Sequence, residues 1–236
     1  MFFRARNIAF AAAALCLAGA AAAAPITAAF TTFETLVGAT FGGTGIPNNA
    51  VAITTVPGVI GGANALTLGL TAHQRFVGPA LPSAAGIFSA QTGVSAISPS
   101  PADPYATWNF GFYIAGASTA LYSFNLFYDF DPAAANDETT HGRVAIALGA
   151  ITATAQNSWN LGMNFLDAGA NQPSFASFDP NVAGQYTFAL VAYNANGGEA
   201  ARSAIVVNVN AVPEPTSLAL VGLALAGLGF VGRRKA

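Results

Sequence analysis

Alternating apolar residues set the fold class of this chain. Between positions 107 and 131, large apolar side chains recur at every second residue, first at Trp108, Phe110, Phe112 and Ile114. A period of two is typical of a half-buried β-strand, because successive side chains of a strand point to opposite faces of the sheet. Positions 184–194 repeat the pattern. No helical period of any length is found between positions 25 and 211, so the sequence predicts an all-β body.

The order of strands and turns predicts an antiparallel β-sandwich. Strands are expected at positions 108–114, 121–130, 143–148, 158–166, 184–194 and 201–210. Shorter β-type runs at 30–37, 51–56 and 65–71 are sheet strands or long surface loops. The strands at 108–114 and 121–130 are expected to form a hairpin with aromatic cross-strand pairs. The segment 81–104 is rich in proline and is interpreted as a connecting region.

The sandwich is expected to be immunoglobulin-like or jelly-roll-like. Gly184 and Tyr186, placed where a late strand begins, resemble the tyrosine corner of immunoglobulin-like sandwiches. We expect residues 105–211 to form the sandwich core. Residues 25–104 are then an N-terminal β and loop region of the same exported body. Two terminal helices, a signal helix and a transmembrane helix, are expected to flank this body.

Charge and cysteine content exclude several classes of function. The segment 25–212 contains nine acidic residues and three arginines, which gives a net charge of −6. Such a body has no basic patch that could release counterions from a phosphate backbone, so nucleic acid binding is excluded. The only cysteine is Cys16, which lies near the N-terminus. The body therefore has no disulfide, no thiol catalyst and no thiolate metal site, and core packing must stabilise it.

The N-terminal residues 1–24 have the pattern of a secretory signal peptide. Arg4 and Arg6 form a positive start, residues 8–17 an apolar stretch, and residues 18–24 a cleavage zone of small side chains. Cleavage is expected within residues 20–24, ahead of Pro25. An uncleaved N-terminal anchor is the alternative.

The C-terminal residues 212–236 have three parts in a fixed order. The first is the tripeptide Pro213, Glu214 and Pro215, whose prolines break any helix. An uncharged apolar run at about 216–232 follows, near the lower limit for a helix that crosses a bilayer at ~1.5 Å per residue. The last part is the basic end, Arg233, Arg234 and Lys235, which would hold the C-terminus on the cytoplasmic side.

This arrangement closely resembles the PEP-CTERM sorting signal of Gram-negative bacteria. The resemblance covers about a tenth of the chain and includes the motif, its spacing and its basic end. It implies an exported protein that is held transiently in the inner membrane by its C-terminal helix. It also implies recognition by a membrane-embedded processing enzyme of the exosortase type, and an association with exopolysaccharide and biofilm. An ordinary single-span anchor behind a proline-rich stalk is the alternative.

One acidic loop is the candidate metal site of the body. Asp129, Asp131, Asp137 and Glu138 form the densest group of oxygen ligands in the chain, and Ca²⁺ takes six to eight oxygens. The spacing matches no EF-hand, so a weak Ca²⁺ site and a solvated loop both stay open. His73 and His141 have no histidine or cysteine at ligand spacing, and His141 is expected to be an exposed loop residue. No catalytic residue and no required cofactor are assigned, because no nucleophile elbow or marked carboxylate pair is found.

The expected function is structural or adhesive, at the cell surface or in the extracellular matrix. A carbohydrate- or Ca²⁺-binding sandwich module is the alternative, and a hydrolase comes third. Aromatic rings could stack on sugars, although rings in alternating strands are mostly core. The candidates for stacking are Trp108, Trp159, Tyr105, Tyr113 and Tyr122, and the two tyrosines expected to be most exposed are Tyr113 and Tyr193.

Overall fold

Eleven strands make up the described part of the chain. The computed structural model describes residues 24–57, 64–76, 80–99, 104–116, 119–148, 154–175 and 177–212. The strands are β1 (Thr32–Glu34), β2 (Val51–Pro57), β3 (Asn64–Gln74), β4 (Ser83–Ala84), β5 (Ile87–Gln91), β6 (Trp108–Ala115), β7 (Ser123–Tyr128), β8 (Gly142–Ile146), β9 (Thr154–Trp159), β10 (Gly184–Tyr193) and β11 (Glu199–Asn210). Three short 3₁₀ helices lie at Thr119–Leu121, Glu138–Thr140 and Gly169–Asn171.

The strands form two sheets. The first has five strands in the order β1-β2-β3-β6-β9, and the second has six in the order β4-β5-β11-β10-β7-β8. The mostly-β fold predicted from the alternating pattern is confirmed. The expected signal helix and transmembrane helix lie outside the described residues, and no helix within them is long and apolar enough to cross a membrane.

Aromatic rings from both sheets fill the core between them. Phe110 of β6 stacks on Phe188 of β10, with ring centroids 4.5 Å apart. Trp108 packs edge-on against the same Phe188 at 6.1 Å and tilts over Tyr186 at 6.0 Å. Leucines of β3 and valines of β11 belong to the same buried cluster. Because these contacts join the two sheets face to face, the fold is a β-sandwich with one principal core.

The predicted hairpin between β6 and β7 is wrong. β6 pairs with β3 and β9 in the first sheet, whereas β7 pairs with β10 and β8 in the second. The chain crosses between the sheets through the short helix Thr119–Leu121. Each strand has one row of large apolar side chains, and these rows meet across the core. Alternation fixes which face of a strand is buried, but it does not identify the strand's neighbour.

Two further differences concern the segments that flank the aromatic strands. The predicted connector 81–104 contains β4 and β5, and β5 pairs with β11 in parallel, the one exception to the expected antiparallel arrangement among the described pairs. Proline blocks strand pairing only where it stands, and β5 contains none. The strand predicted at 158–166 instead spans Thr154–Trp159, and turns follow it.

The hydrogen bond expected for a tyrosine corner is present at the start of β10. The Tyr186 hydroxyl donates to the Val182 carbonyl at 3.2 Å, four residues upstream. Burial of the ring raises the pKa of Tyr186 to about 12, with smaller contributions from Asp179 and two other nearby carboxylates. The choice between an immunoglobulin-like and a jelly-roll-like sandwich stays a prediction.

Removing the ring at Phe188 should destabilise the whole sandwich. We expect Phe188→Ala to lower the free energy of unfolding by about 3–5 kcal/mol, because the ring is fully buried and contacts both Phe110 and Trp108. The matched control is Phe175→Ala, where the ring is 43% exposed and the expected cost is about 0.5 kcal/mol. Urea unfolding of both variants measures the difference, and equal losses would contradict the described core.

Candidate functional site

The sorting tripeptide follows the last strand without a linker. β11 lies between β5 and β10 in the six-stranded sheet and ends at Asn210. Two residues later, the Val212 amide donates to Thr92 Oγ1 at 3.3 Å, which holds the chain against the sandwich. Pro213, Glu214 and Pro215 come next, and they lie outside the described residues together with Arg233, Arg234 and Lys235. A central strand of the body therefore leads directly into the C-terminal segment.

The carboxylates of the acidic loop accept hydrogen bonds from the protein itself. Asp129 accepts from the Asp131 amide at 2.9 Å and from Asn136 Nδ2 at 2.8 Å. Asp131 accepts from the Ala133 amide at 2.9 Å. Asp137 is the N-cap of the helix Glu138–Thr140 and accepts from the Thr139 amide at 2.8 Å. The acidic loop is therefore a folded polar turn, in which the acidic side chains accept hydrogen bonds mainly from the loop's own backbone amides.

Glu138 belongs to a separate ion-pair group. Its two carboxylate oxygens accept from Arg202, at 2.7 Å from Nη1 and 3.2 Å from Nη2. Glu199 also accepts from Arg202, and the hydrogen bonds to Glu199 and Glu138 raise the pKa of the guanidinium. In the described ranges no three side chains of His, Cys, Asp or Glu form a group that could hold a metal ion. The Ca²⁺ site at Asp129, Asp131, Asp137 and Glu138 stays a prediction.

The calcium hypothesis has a direct thermal test. If the loop binds Ca²⁺, the ion should raise the melting temperature relative to the same protein in EDTA, because it binds the folded loop and not the unfolded chain. Asp129→Asn should abolish that rise, and Asp179→Asn, on a different turn, should preserve it. An identical melting temperature in CaCl₂ and EDTA would contradict the site.

His141 is buried, and its expected exposure is wrong. Its Nδ1 lies 3.0 Å from the Asp137 carbonyl and its Nε2 lies 2.7 Å from Thr187 Oγ1. Since a carbonyl oxygen can only accept, Nδ1 carries the proton of the neutral ring. Asp129 Oδ2 lies 3.6 Å from Nε2. Burial raises the pKa of Asp129, and the Asn136 hydrogen bond and His141 oppose that rise. The ring therefore fastens the acidic loop to β10.

A buried polar network crosses the outer face of the five-stranded sheet. His73 Nδ1 lies 2.9 Å from the Gln74 carbonyl and must donate to it, so Nε2 accepts from Ser158 Oγ at 2.9 Å. Ser158 Oγ in turn accepts from Asn109 Nδ2 at 2.9 Å. Asn160 continues the network with a donor 2.8 Å from Asn109 Oδ1. Sequence analysis missed this network because its members come from three segments that are far apart in the chain, at His73, at Asn109 and at Ser158 with Asn160.

The loop between β1 and β2, residues 35–50, folds over this face. The Thr40 and Phe41 amides both donate to Gln156 Oε1 at 2.8 Å, which ties the loop to the edge strand β9. The Phe41 ring is fully buried against β6. A Cβ at Gly111 would lie 3.0 Å from that ring, so a larger residue there would force the ring to shift. The loop stops short of β9's far end and leaves an open pocket beside it.

This pocket, here called the Arg75 pocket, has a volume of about 580 Å³. Its floor is formed by His73, Asn109 and Ser158, and one wall by the glycine-rich part of the loop, residues 42–45. Arg75, Phe76, Asn157 and Met163 also line the pocket. Burial lowers the pKa of Arg75, but a guanidinium remains charged at neutral pH. The pocket combines a cation, an aromatic ring and amides, and no acidic residue is found among the described residues that line it.

The aromatic residues proposed for sugar stacking occupy different environments. Trp108 is in the core, and Trp159 packs edge-on against Phe110 and Phe112. Tyr105, Tyr113, Tyr122 and Tyr193 are all half-buried. The exposed ring at the Arg75 pocket is Phe76, which is 69% exposed. The exposure of Phe76 was not predicted from the sequence, because a phenylalanine at the end of an apolar strand is ordinarily expected to be buried in the core.

The fold and the C-terminal segment together define an exported β-sandwich protein with a sorting signal. Residues 211–235 match the PEP-CTERM protein-sorting motif. The chain therefore carries the signal of an exported, envelope-associated protein that is sorted by an exosortase. No curated protein and no solved structure shows a significant match to the chain.

Titration of His73 should make the stability of the sandwich depend on pH. Burial lowers the pKa of His73 below its usual 6.5, so the unfolded chain binds this proton more readily than the folded chain. The contribution of His73 to the free energy of unfolding is then complete above pH 6.5. It falls as the pH drops towards the folded-state pKa, by at most about 1.4 kcal/mol per pH unit.

His73→Gln should flatten this dependence in urea unfolding between about pH 7.5 and pH 5. Comparing the variant with the wild type at each pH removes the contribution of Asp129, whose raised pKa acts in the opposite direction at lower pH. If the free energy of unfolding depends on pH equally in His73→Gln and in the wild type, the His73 ring does not titrate as its burial requires.

Proposed function

We propose that this protein is a structural or adhesive component of the cell surface or extracellular matrix, associated with exopolysaccharide and biofilm. The observation that carries the proposal is the sorting motif at residues 211–235, directly behind the last strand of a β-sandwich. An adhesive module must stay close to the surface that displays it, and β11 provides that attachment without an intervening linker. We propose no enzymatic role.

The geometry of β11 also suits a mechanical role. A pull on the C-terminus acts on a strand of twelve residues that is paired on both sides, with β10 and with β5. The parallel pairing with β5 places hydrogen bonds of five residue pairs near the exit of the strand. The attachment point is therefore among the most extensively bonded parts of the described fold.

Before processing, we propose that the apolar segment at about 216–232 anchors the protein in the inner membrane. The exosortase-type enzyme would then recognise Pro213, Glu214 and Pro215, and Arg233, Arg234 and Lys235 would mark the cytoplasmic end. After processing, the sandwich would be displayed in the envelope or matrix. This order accounts for an apolar tail on an otherwise exported body.

Substitution of the tripeptide should block processing. We expect Pro213→Ala/Glu214→Ala to accumulate a longer species in the inner membrane, because the recognition segment is lost while the apolar anchor is kept. Intact mass and membrane partition of the protein from its host measure this. The control, Glu34→Ala/Pro57→Ala, changes the same residue types at exposed positions and should be processed like the wild type. A wild-type protein that keeps Arg233, Arg234 and Lys235 would contradict the proposal.

The adhesive role needs a separate measurement in the same strains. Cells that lack the protein, or that carry the unprocessed variant, should retain less polysaccharide and attach less to a surface. Normal attachment in the deletion strain would contradict the adhesive role and leave the sorting result intact.

Carbohydrate binding is the second candidate function. The Arg75 pocket favours it, because an exposed ring beside amide and guanidinium donors is a combination that binds polar rings. A binding role is compatible with display at the surface, since a module that holds polysaccharide would also be adhesive.

A further inference from the structure

The guanidinium of Arg75 is held in place but left free to bind an anion. It lies 4.3 Å from the ring centroid of Phe76 and 4.6 Å from that of Tyr105, so two aromatic rings fix its plane. Nη2 donates to the Ile97 carbonyl at 3.2 Å. Nε is buried and has no acceptor within the described part of the chain. No carboxylate of the described residues lies within ion-pair distance of Arg75.

Comparison with a second cleft shows that this arrangement is local. A cleft of about 760 Å³ beside the N-terminal segment is lined by Arg202 and Arg143. There Arg202 is paired with Glu138 and Glu199, so its charge is neutralised within the protein. In the Arg75 pocket, by contrast, no acidic side chain is among the described lining residues, and the segment 25–212 has a net charge of −6. A positive pocket on an acidic surface selects for a ligand with a negative group.

Phe76 supplies a flat apolar surface at the mouth of the pocket. Its φ of 61° is in the left-handed region, which a bulky side chain rarely occupies. Its ring is nevertheless 69% exposed, and the Arg75 guanidinium lies against it. A strained backbone that holds an aromatic ring in solvent is more typical of a binding surface than of a core.

Polar groups surround this ring and cation. Asn157 and Thr44 line the pocket and are exposed at its rim, and Ser158 lies in its floor within the His73 network. Amides and hydroxyls of this kind donate to and accept from sugar hydroxyls. One arginine matches one carboxylate, whereas a nucleic acid backbone would need many cations.

We propose that the Arg75 pocket binds a carboxylate-bearing sugar ring of an acidic polysaccharide. Arg75 takes the carboxylate, Phe76 stacks on the ring, and the amide of Asn157 with the hydroxyl of Thr44 contacts the sugar hydroxyls. This inference rests on the carbohydrate-binding role proposed above and names the chemistry of its ligand.

Binding of polygalacturonate and of its carboxyl-reduced, neutral form to the full chain, purified in mild detergent, tests the proposal. The wild type should bind the acidic polymer at least about tenfold more tightly, because a charged hydrogen bond is strong. Arg75→Gln should remove this preference, so that the variant binds both polymers with equal affinity. Arg75→Lys keeps the charge without the planar fork and should retain part of the preference. Phe76→Ala should weaken binding of both polymers.

The control is Arg143→Gln, which removes one exposed arginine from β8 in the other sheet. It should bind the acidic polymer like the wild type. Equal losses in Arg143→Gln and Arg75→Gln would show that binding follows net charge and would overturn the site. Thermal melts confirm that each variant is folded. If Arg75→Gln does not fold, Arg75→Lys replaces it in the comparison with Arg143→Gln.

Failure of this inference can be told apart from failure of the proposed functions. Binding of both polymers with equal affinity would overturn the acidic ligand and keep carbohydrate binding. No binding of either polymer would overturn both. Neither result bears on sorting, because intact mass of the same variants from the host reports whether the C-terminal segment is still processed.

Discussion

The structure depends on the contact of aromatic rings across the two sheets. Phe110 and Trp108 of β6 lie 4.5 Å and 6.1 Å, between ring centroids, from Phe188 of β10, and β6 and β10 are not hydrogen-bonded neighbours. The exported body has no cysteine, so no covalent link can replace these contacts. Each buried aromatic ring contributes a large apolar area, and the hydrophobic effect over that area is the main force that holds the sheets together. The hydrogen-bonded ladders then fix the register.

The outer face of the five-stranded sheet is partly covered by a loop instead of by a second sheet. This face cannot pack on the other sheet, so the β1–β2 loop covers part of it with Phe41 and Ile46. Gly111 makes room for the Phe41 ring, and Gln156 binds the loop backbone. Where the loop ends, the remaining polar side chains cannot be left unsatisfied in a buried position. The network from His73 to Asn160 satisfies them, and the same boundary creates the Arg75 pocket.

The sequence predicted the strands better than their partners. Alternation located β6, β7 and β10, because one row of large apolar side chains leaves a period of two, and the order of strands and turns located β11. The predicted β6–β7 hairpin failed because the choice of partner depends on contacts between residues far apart in sequence. The strand β5 was missed because the prolines around it dominated the local composition. The sorting motif was predictable in full, since a short linear signal carries its information in adjacent residues.

The candidate site was hidden from the sequence for the same physical reason. His73, Asn109 and Ser158 are brought together by the pairing of β3 with β6 and of β6 with β9, and no linear spacing encodes that. Charge balance was a partial guide, because the segment 25–212 contains only three arginines beside nine acidic residues. Arg202 stabilises an ion-pair group that ties the acidic loop to β11. Arg75 has no such partner in the described residues, yet two aromatic rings keep it oriented at a pocket. Ion pairs explain the position of Arg202, whereas aromatic packing and the Ile97 carbonyl hold Arg75 at the pocket, where we propose that it binds an anion.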